Sequence, residues 1–399
     1  MFEPPEPSPA VAARAFIAFA DVGAWRARQA DITRRAAAGR RAGPAVRQHH
    51  VIERTIDRLA RGTAPPGPAE ACLARLAAET VALASCLTPA GKTRLQEAVA
   101  AALSGDATLV PLFHLLRTAA RHRAHGFAVR FAGFEDGASF DLLLQRDNAE
   151  AEVVCDVVSA EQGRLLQRAA WLRLADRIDP DLQTWLAAHP GRYLLKMTLP
   201  EGLADAADGI CLAGLHARIR DMLCRSARTQ HDAAVVLRLD PLLLAGAQAD
   251  PADMQTLLRR EFGPETQLAA IAAENGLCVV AARAGREDEV AGAIRRRMAM
   301  LAPSRLSGTR PGILAMFVED TDRAEWRGLR ERLELEGEAR QFLAHPDARQ
   351  VVAVTCTSRL ELFGLAPPDA AEDGELRFRN PSHPAAKLPA LAPAVLSSV

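Results

Sequence analysis

FDLLLQRDNAEAEVVCDVVSAEQGR, Phe140 to Arg164, holds two apolar runs separated by a polar turn. SFDLLLQ and AEVVCDVVS are short, rich in branched apolar side chains and bounded by RDNAE, the pattern of two strands joined by a turn. EQGRLLQRAAWLRLADRI then takes up helical spacing. Side chains alternate faces along a strand, so Glu152, Val154 and Asp156 point the same way. Asp141 stands on the preceding strand. Asp141, Glu152 and Asp156 therefore make a candidate metal-binding cluster, because a hard divalent cation prefers carboxylate oxygens. Ser159 reads as the N-cap of the following helix, with Gln162 at the capping-box position. No Gly-x-Ser-x-Gly elbow surrounds Ser159 to make it a nucleophile.

Upstream, ATLVPLFHLLRTAARHRAHG is an amphipathic helix that Gly126 ends as a C′ residue, and FAVRFAG is a strand. Downstream, DPDLQTWLAAHPG leads to RYLLKMTLP, a fourth strand. Residues 108 to 200 thus run α-β-β-β-α-β. Helix LAGLHARIRDMLCRSA, strand AAVVLRLD, a helix after residue 250 and strand GLCVVAAR follow. EDEVAGAIRRRMAML (helix), GILAMFVED (strand), EWRGLRERLELEGEARQFL (helix) and ARQVVAVTCTS (strand) complete the pattern. This alternation predicts α/β layers on a largely parallel or mixed sheet. The expected division is a disordered tail over 1–12 and an all-α N-terminal region over 13–106. An α/β core spans 107–250, a C-terminal α/β extension 251–365, and an irregular Pro- and Ala-rich tail 366–399.

The chain has 399 residues, 49% hydrophobic and 25% charged, as a globular chain does. No apolar run reaches the roughly 18 residues that span a bilayer, so no membrane partner is expected. MFEPPEPSPAVAARAF lacks the basic-then-apolar layout of a secretory leader, and a cytoplasmic location is expected. Seven scattered cysteines without CxxC spacing fit a reduced compartment and argue against a structural zinc site. The net charge is zero, so no global field attracts nucleic acid. Residues 1–130 nevertheless hold 18 Lys or Arg against 10 Asp or Glu. One Tyr and four Trp supply no stacking platform for single strands. Lys92, Lys196 and Lys387 are the only lysines, which draws attention to Lys196 in its apolar strand.

The α-β-β-β-α-β order with acids on its second and third strands resembles the core of the PD-(D/E)XK nuclease superfamily, the restriction-endonuclease-like group. There, an Asp on the second strand and an acid-x-Lys on the third bind one or two Mg²⁺, and the Lys orients or activates the attacking water. The metal clamps the scissile phosphate and lowers the pKa of its water, and a nearby cation offsets the charge of the transition state. EVVCDVVSAEQGR is similar to bacterial nuclease-like sequences whose strand reads valine-glutamate-cysteine-lysine, with Ser159, Gly163 and Arg164 at the downstream positions. LSGTRPGILAMFVED and RFRNPSHPAAK look like the distal part of such proteins, so the resemblance covers most of residues 108–385.

In that register the family Asp falls on Asp141, but Val154 stands at the acid and Asp156 at the lysine. The resemblance implies one of two proteins. The first is a Mg²⁺- or Mn²⁺-dependent nuclease with a rearranged site. In it Asp141, Glu152 and Asp156 hold metal, Lys196 or Arg164 supplies the cation, and the basic N-terminal region grips a DNA or RNA backbone. The second is a catalytically inactive nuclease-fold protein that binds nucleic acid or another protein. Gln167 and Trp171 have the Gln-x-x-x-aromatic spacing of some recombination nucleases, although Trp suits a core. His49, His50 and His114 read as surface or packing residues, and Arg295–Arg297 as a solvated helix face or a phosphate contact.

Overall fold

The computed structural model describes residues 7–62, 65–204, 209–242, 262–263 and 265–398. The chain folds into two compact units: one built from 1–33, 47–162 and 290–399, the other from 34–46 and 163–289. The helix expected after residue 250 and the first residues of the expected N-terminal tail lie outside the described residues.

The first unit begins with helices α1 (Pro9–Phe19), α2 (Val22–Ala36) and α3 (Ala42–His49), the last two shared with the second unit, then α4 (Val51–Arg61), α5 (Pro68–Cys86), α6 (Pro89–Ala102) and α7 (Val110–Ala124). Residues 9–12, placed in a disordered tail by composition, belong to α1, where Ala12 is buried. Gly126, past the end of α7, has φ 83°, the left-handed geometry expected of it. Then come β1 (Ala128–Arg130), the short α8 (Ala132–Glu135), β2 (Leu142–Arg146) and β3 (Ala149–Ser159).

The second unit supplies α9 (Arg168–Ala188), β4 (Gly191–Leu199), α10 (Gly209–Cys224), β5 (Thr229–His231), β6 (Val236–Pro241), β7 (Gln267–Ala273) and β8 (Gly276–Ala284). Its sheet runs β5-β6-β4-β8-β7, with β4 and β8 parallel. Leu174, Ile178 and Leu182 of α9 pack with Leu195, Met197 and Val280 of the sheet. Trp171 is part of that core, so its spacing from Gln167 reflects packing.

The chain returns to the first unit through α11 (Val290–Arg305), β9 (Gly312–Glu319), α12 (Arg323–Glu331), α13 (Glu334–Leu343), β10 (Val351–Ser358), α14 (Arg359–Leu362), β11 (Leu376–Arg379) and α15 (Ala392–Val395). The segment read as one helix, Glu325 to Leu343, is α12 and α13, broken at Leu333 with φ 58°. The tail after 366 is not irregular: β11 pairs with β10, and Leu391, Ala394 and Val395 are buried.

The first unit's sheet has the order β1-β2-β3-β9-β10-β11. β1 and β2, β2 and β3, and β10 and β11 pair antiparallel; β3, β9 and β10 are parallel. β9 and β10 are buried at every position, which is why they read as continuous apolar runs: parallel strands are covered on both faces. Leu142, Leu144, Val153 and Phe317 pack with Phe113 and Leu116 of α7 on one face. Leu143, Val154, Leu314 and Met316 pack with Ile294, Met298 and Phe342 of α11 and α13 on the other.

The expected path from β3 through the next helix into a fourth strand of the same sheet is not the one the chain takes. α9 and β4 belong to the other unit, and the parallel neighbour of β3 is β9. No helix of the described residues is long and apolar enough to cross a membrane.

Candidate functional site

Asp141, Glu152 and Asp156 lie in the first unit, with Asp141 just before β2 and the other two on β3. The Asp141 amide donates to Val153 O at 2.9 Å, and its carboxylate accepts from the Cys155 amide at 2.8 Å. Strand register therefore sets Asp141 beside Val154, the position that the register of the resemblance gives to an acid. Val154 has no exposed surface and belongs to the apolar layer against α11.

Each acid has its own partner from α11 or the loop after it. Arg305 Nη2 donates to Asp141 at 3.0 Å. Arg297 Nε and Nη2 donate to the two oxygens of Asp156 at 2.6 and 2.9 Å. Ser307 donates to the fully buried Glu152 from its amide at 2.8 Å and its hydroxyl at 2.5 Å, with Arg310 Nη1 at 3.5 Å. Burial raises the Asp141 pKa, outweighing the opposing pull of Arg305. The Asp156 hydrogen bond raises the pKa of Arg297 against its partial burial.

This set does not fit a divalent ion. A bidentate guanidinium occupies both oxygens of Asp156, and Val154 places apolar surface where a ligand would stand. The three acids do not form a group whose donor atoms all lie within 4.8 Å of one another. Arg297, read as part of a solvated face or a phosphate contact, joins Arg305 and Arg310 as a cation of this surface, and Arg295 pairs with Glu338 at 2.5 Å. The structure does not bring Lys196 or Arg164 into this group. Both belong to the second unit, where Lys196 of β4 lies 3.5 Å from Asp240 and 5.1 Å from the Phe262 ring centroid. Arg164 is buried there.

A second cluster stands at the carboxyl ends of β3, β9 and β10. Among the described residues, His49, Glu319 and Asp320 form a group in which one donor atom from each lies within 4.8 Å of the others. His49 is the last residue of α3, Glu319 the last of β9, and Asp320 follows with φ 62°, a left-handed conformation that Asp tolerates better than most residues. His49 Nδ1 lies 3.5 Å from Asp320 Oδ1. His49 Nε2 lies 3.0 Å from the Asp106 carbonyl. A carbonyl only accepts, so Nε2 carries the hydrogen. Ser159, at the end of β3, donates to Asp320 Oδ2 at 2.6 Å and accepts from the Glu161 amide at 3.1 Å. It caps a single 3₁₀ turn, Ala160–Gln162, rather than an α-helix. Arg359, opening α14 after β10, donates to Glu319 and to the carbonyls of Gln48 at 2.7 Å and His49 at 2.9 Å, pinning the C-terminus of α3.

Burial favours neutral forms here, yet the pair overrides it. The His49 pKa is raised through Asp320, the Asp106 carbonyl and Glu319. Burial lowers the His49 pKa without overcoming those partners; it would raise that of Asp320, but His49, Ser159 and Arg359 bring Asp320 down to about 2. The sequence makes His49 read as a surface or packing residue because its partners lie far away in the chain. The available signal was VED, acids closing an apolar strand at the carboxyl end, where open α/β sheets bind ligands.

Comparison of the chain with protein-family models, with curated proteins and with solved structures finds no match.

Proposed function

We propose that this chain is a catalytically inactive nuclease-like protein that acts by binding a protein partner. The carrying observation is the Arg297–Asp156 pair beside buried Val154, a guanidinium and an apolar side chain where hydrolysis needs a metal and its ligands. Topology supports the nuclease-like, restriction-endonuclease-like reading. With residues 163–289 set aside as an insertion and the single-turn α8 passed as part of the β1–β2 connection, α7-β1-β2-β3-α11-β9 reads α-β-β-β-α-β, and Asp141 stands just before the second strand. Surface chemistry favours protein over nucleic acid. Arg58, Arg61, Arg123 and Arg130 of the basic N-terminal region are neutralised by Glu70, Asp57, Glu79 and Glu135. Trp25, Trp171 and Trp326 are buried and offer no stacking face.

The test uses labelled single- and double-stranded DNA and RNA with Mg²⁺ and with Mn²⁺. No cleavage is expected, and binding at 150 mM salt is expected no tighter than the non-specific range of about 10⁻⁴ to 10⁻⁶ M. Metal-dependent cutting that disappears in Asp141→Ala overturns the loss of catalysis. Nanomolar binding of any of the four probes overturns the protein partner.

A further inference from the structure

In the cluster at the carboxyl ends of β3, β9 and β10, each member is held by a group outside it. Asp106 O holds His49 Nε2–H, Ser159 holds Asp320 Oδ2, and Arg359 holds one oxygen of Glu319. His49 Nδ1 and Asp320 Oδ1 face each other at 3.5 Å. That is how outer partners orient metal ligands. A ligating histidine donates its other ring N–H to a carbonyl or carboxylate, and ligating carboxylates are themselves hydrogen-bonded.

The geometry points to a divalent transition-metal site made by His49, Glu319 and Asp320, outside the acidic face of β2 and β3. The ligand chemistry selects the ion. One imidazole with two carboxylates suits Zn²⁺, Mn²⁺ or Co²⁺, whereas Mg²⁺ and Ca²⁺ take oxygen ligands. The donor atoms lie within 4.8 Å of one another. Ligand bonds of roughly 2.1 Å bring opposed donors to about 4.2 Å, so inward side-chain movements under about 1 Å suffice. His49 arrives from α3, Asp320 from the end of β9 and the supporting Ser159 from the end of β3. An ion here ties the N-terminal helices to the sheet of the first unit. The inference is independent of whether the chain cleaves or binds nucleic acid.

Co²⁺ titration of the full chain, followed by visible absorption, tests it. Expected are d–d bands that saturate at one equivalent without thiolate-to-cobalt charge transfer. Asp320→Asn, which keeps a residue tolerant of the left-handed backbone, and His49→Gln are each expected to weaken binding at least tenfold. Ser159→Ala, removing an outer partner, is expected to weaken it about tenfold. Asp141→Asn, outside the cluster, is expected to bind as the parent does. Near-ultraviolet circular dichroism confirms that each variant is folded. Absence of d–d bands at one equivalent, thiolate ligation, or equal affinity in folded Asp320→Asn and His49→Gln overturns the site. The cluster is then a His49–Asp320 ion pair and nothing more.

Discussion

Arg297 grips Asp156 through two hydrogen bonds, one to each carboxylate oxygen, at 2.6 and 2.9 Å. The planar fork matches the carboxylate, so the contact is stronger than a single charged hydrogen bond. Solvent screening limits it, because the Arg297 side chain is 38% exposed and Asp156 13%. In a double-mutant cycle with Arg297→Met and Asp156→Asn, each single change is expected to cost about 1–2 kcal/mol, with a coupling of about 1 kcal/mol. Urea melts of the four proteins measure it. A coupling indistinguishable from zero would show that the pair adds nothing to stability.

The parts of the fold set by local patterning were legible. β2, the turn, β3 and the Gly126 stop follow from alternation and turn chemistry within a short stretch. The sheet neighbour of β3 was not, because nothing local distinguishes a crossover of about twenty residues from one interrupted by a second unit. β4 and β9 both carry apolar strand patterns, and both follow helices. Strand alternation also placed Glu152 and Asp156 on one face, with Asp141 on the preceding strand. What it missed was their partners, since Arg297, Arg305 and Arg310 come from far along the chain. The helical spacing of Arg295–Arg297 was visible, but the sheet it lies on was not.

Placing at Val154 the acid that the nuclease resemblance implies is expected to damage the protein rather than create a metal site. Val154 is fully buried among apolar side chains, including Met316 and Met298. A carboxylate there loses its hydration beside Asp141, whose pKa burial already raises. Val154→Glu is expected to lower stability by about 3 kcal/mol or more and to show no Mg²⁺-dependent cleavage. A thermal melt with and without Mg²⁺ reads both. Parental stability together with metal-dependent stabilisation would mean that this face still accepts an ion.

His114 and His122 give the first unit an acid-sensitive core. Both are buried on α7, and burial pushes each pKa down to about 4. His114 Nε2 donates to the Ala315 carbonyl at 2.9 Å, which fixes the neutral tautomer. In the unfolded chain both titrate near 6.5. Between pH 6.5 and 4 the unfolded state therefore binds more protons, and folded stability falls as the pH falls. The slope is up to about 1.4 kcal/mol per pH unit for each histidine. Asp141 and Glu53, with raised pKa values, act in the opposite sense at the acid end. Urea midpoints at pH 7, 6 and 5 are expected to drop more steeply in the parent than in His122→Gln. Parallel slopes would show that His122 is not buried neutral.

The Glu289 amide donates to the Gly163 carbonyl at 2.8 Å, and the Leu165 amide donates to the Asp288 carboxylate at 2.9 Å. The stretch 163–289 therefore leaves and rejoins the chain at one point, as an inserted unit must. Bridging Gln162 to Val290 with about two glycines spans such a gap, since each residue covers up to roughly 3.6 Å. The shortened chain is expected to keep β3, β9 and β10 paired, because their ladders and both apolar layers lie wholly in the first unit. Segment 34–46 loses Asp176, which accepts from the Arg41 and Ala42 amides at 2.8 and 3.0 Å, so fraying is expected there. Hydrogen exchange reads both outcomes at once. Protected amides from Val154 to Val158 and from Leu314 to Val318, with rapid exchange at 34–46, establish the first unit as an independent fold. Loss of protection in β3 and β9 would mean that the sheet depends on the insertion.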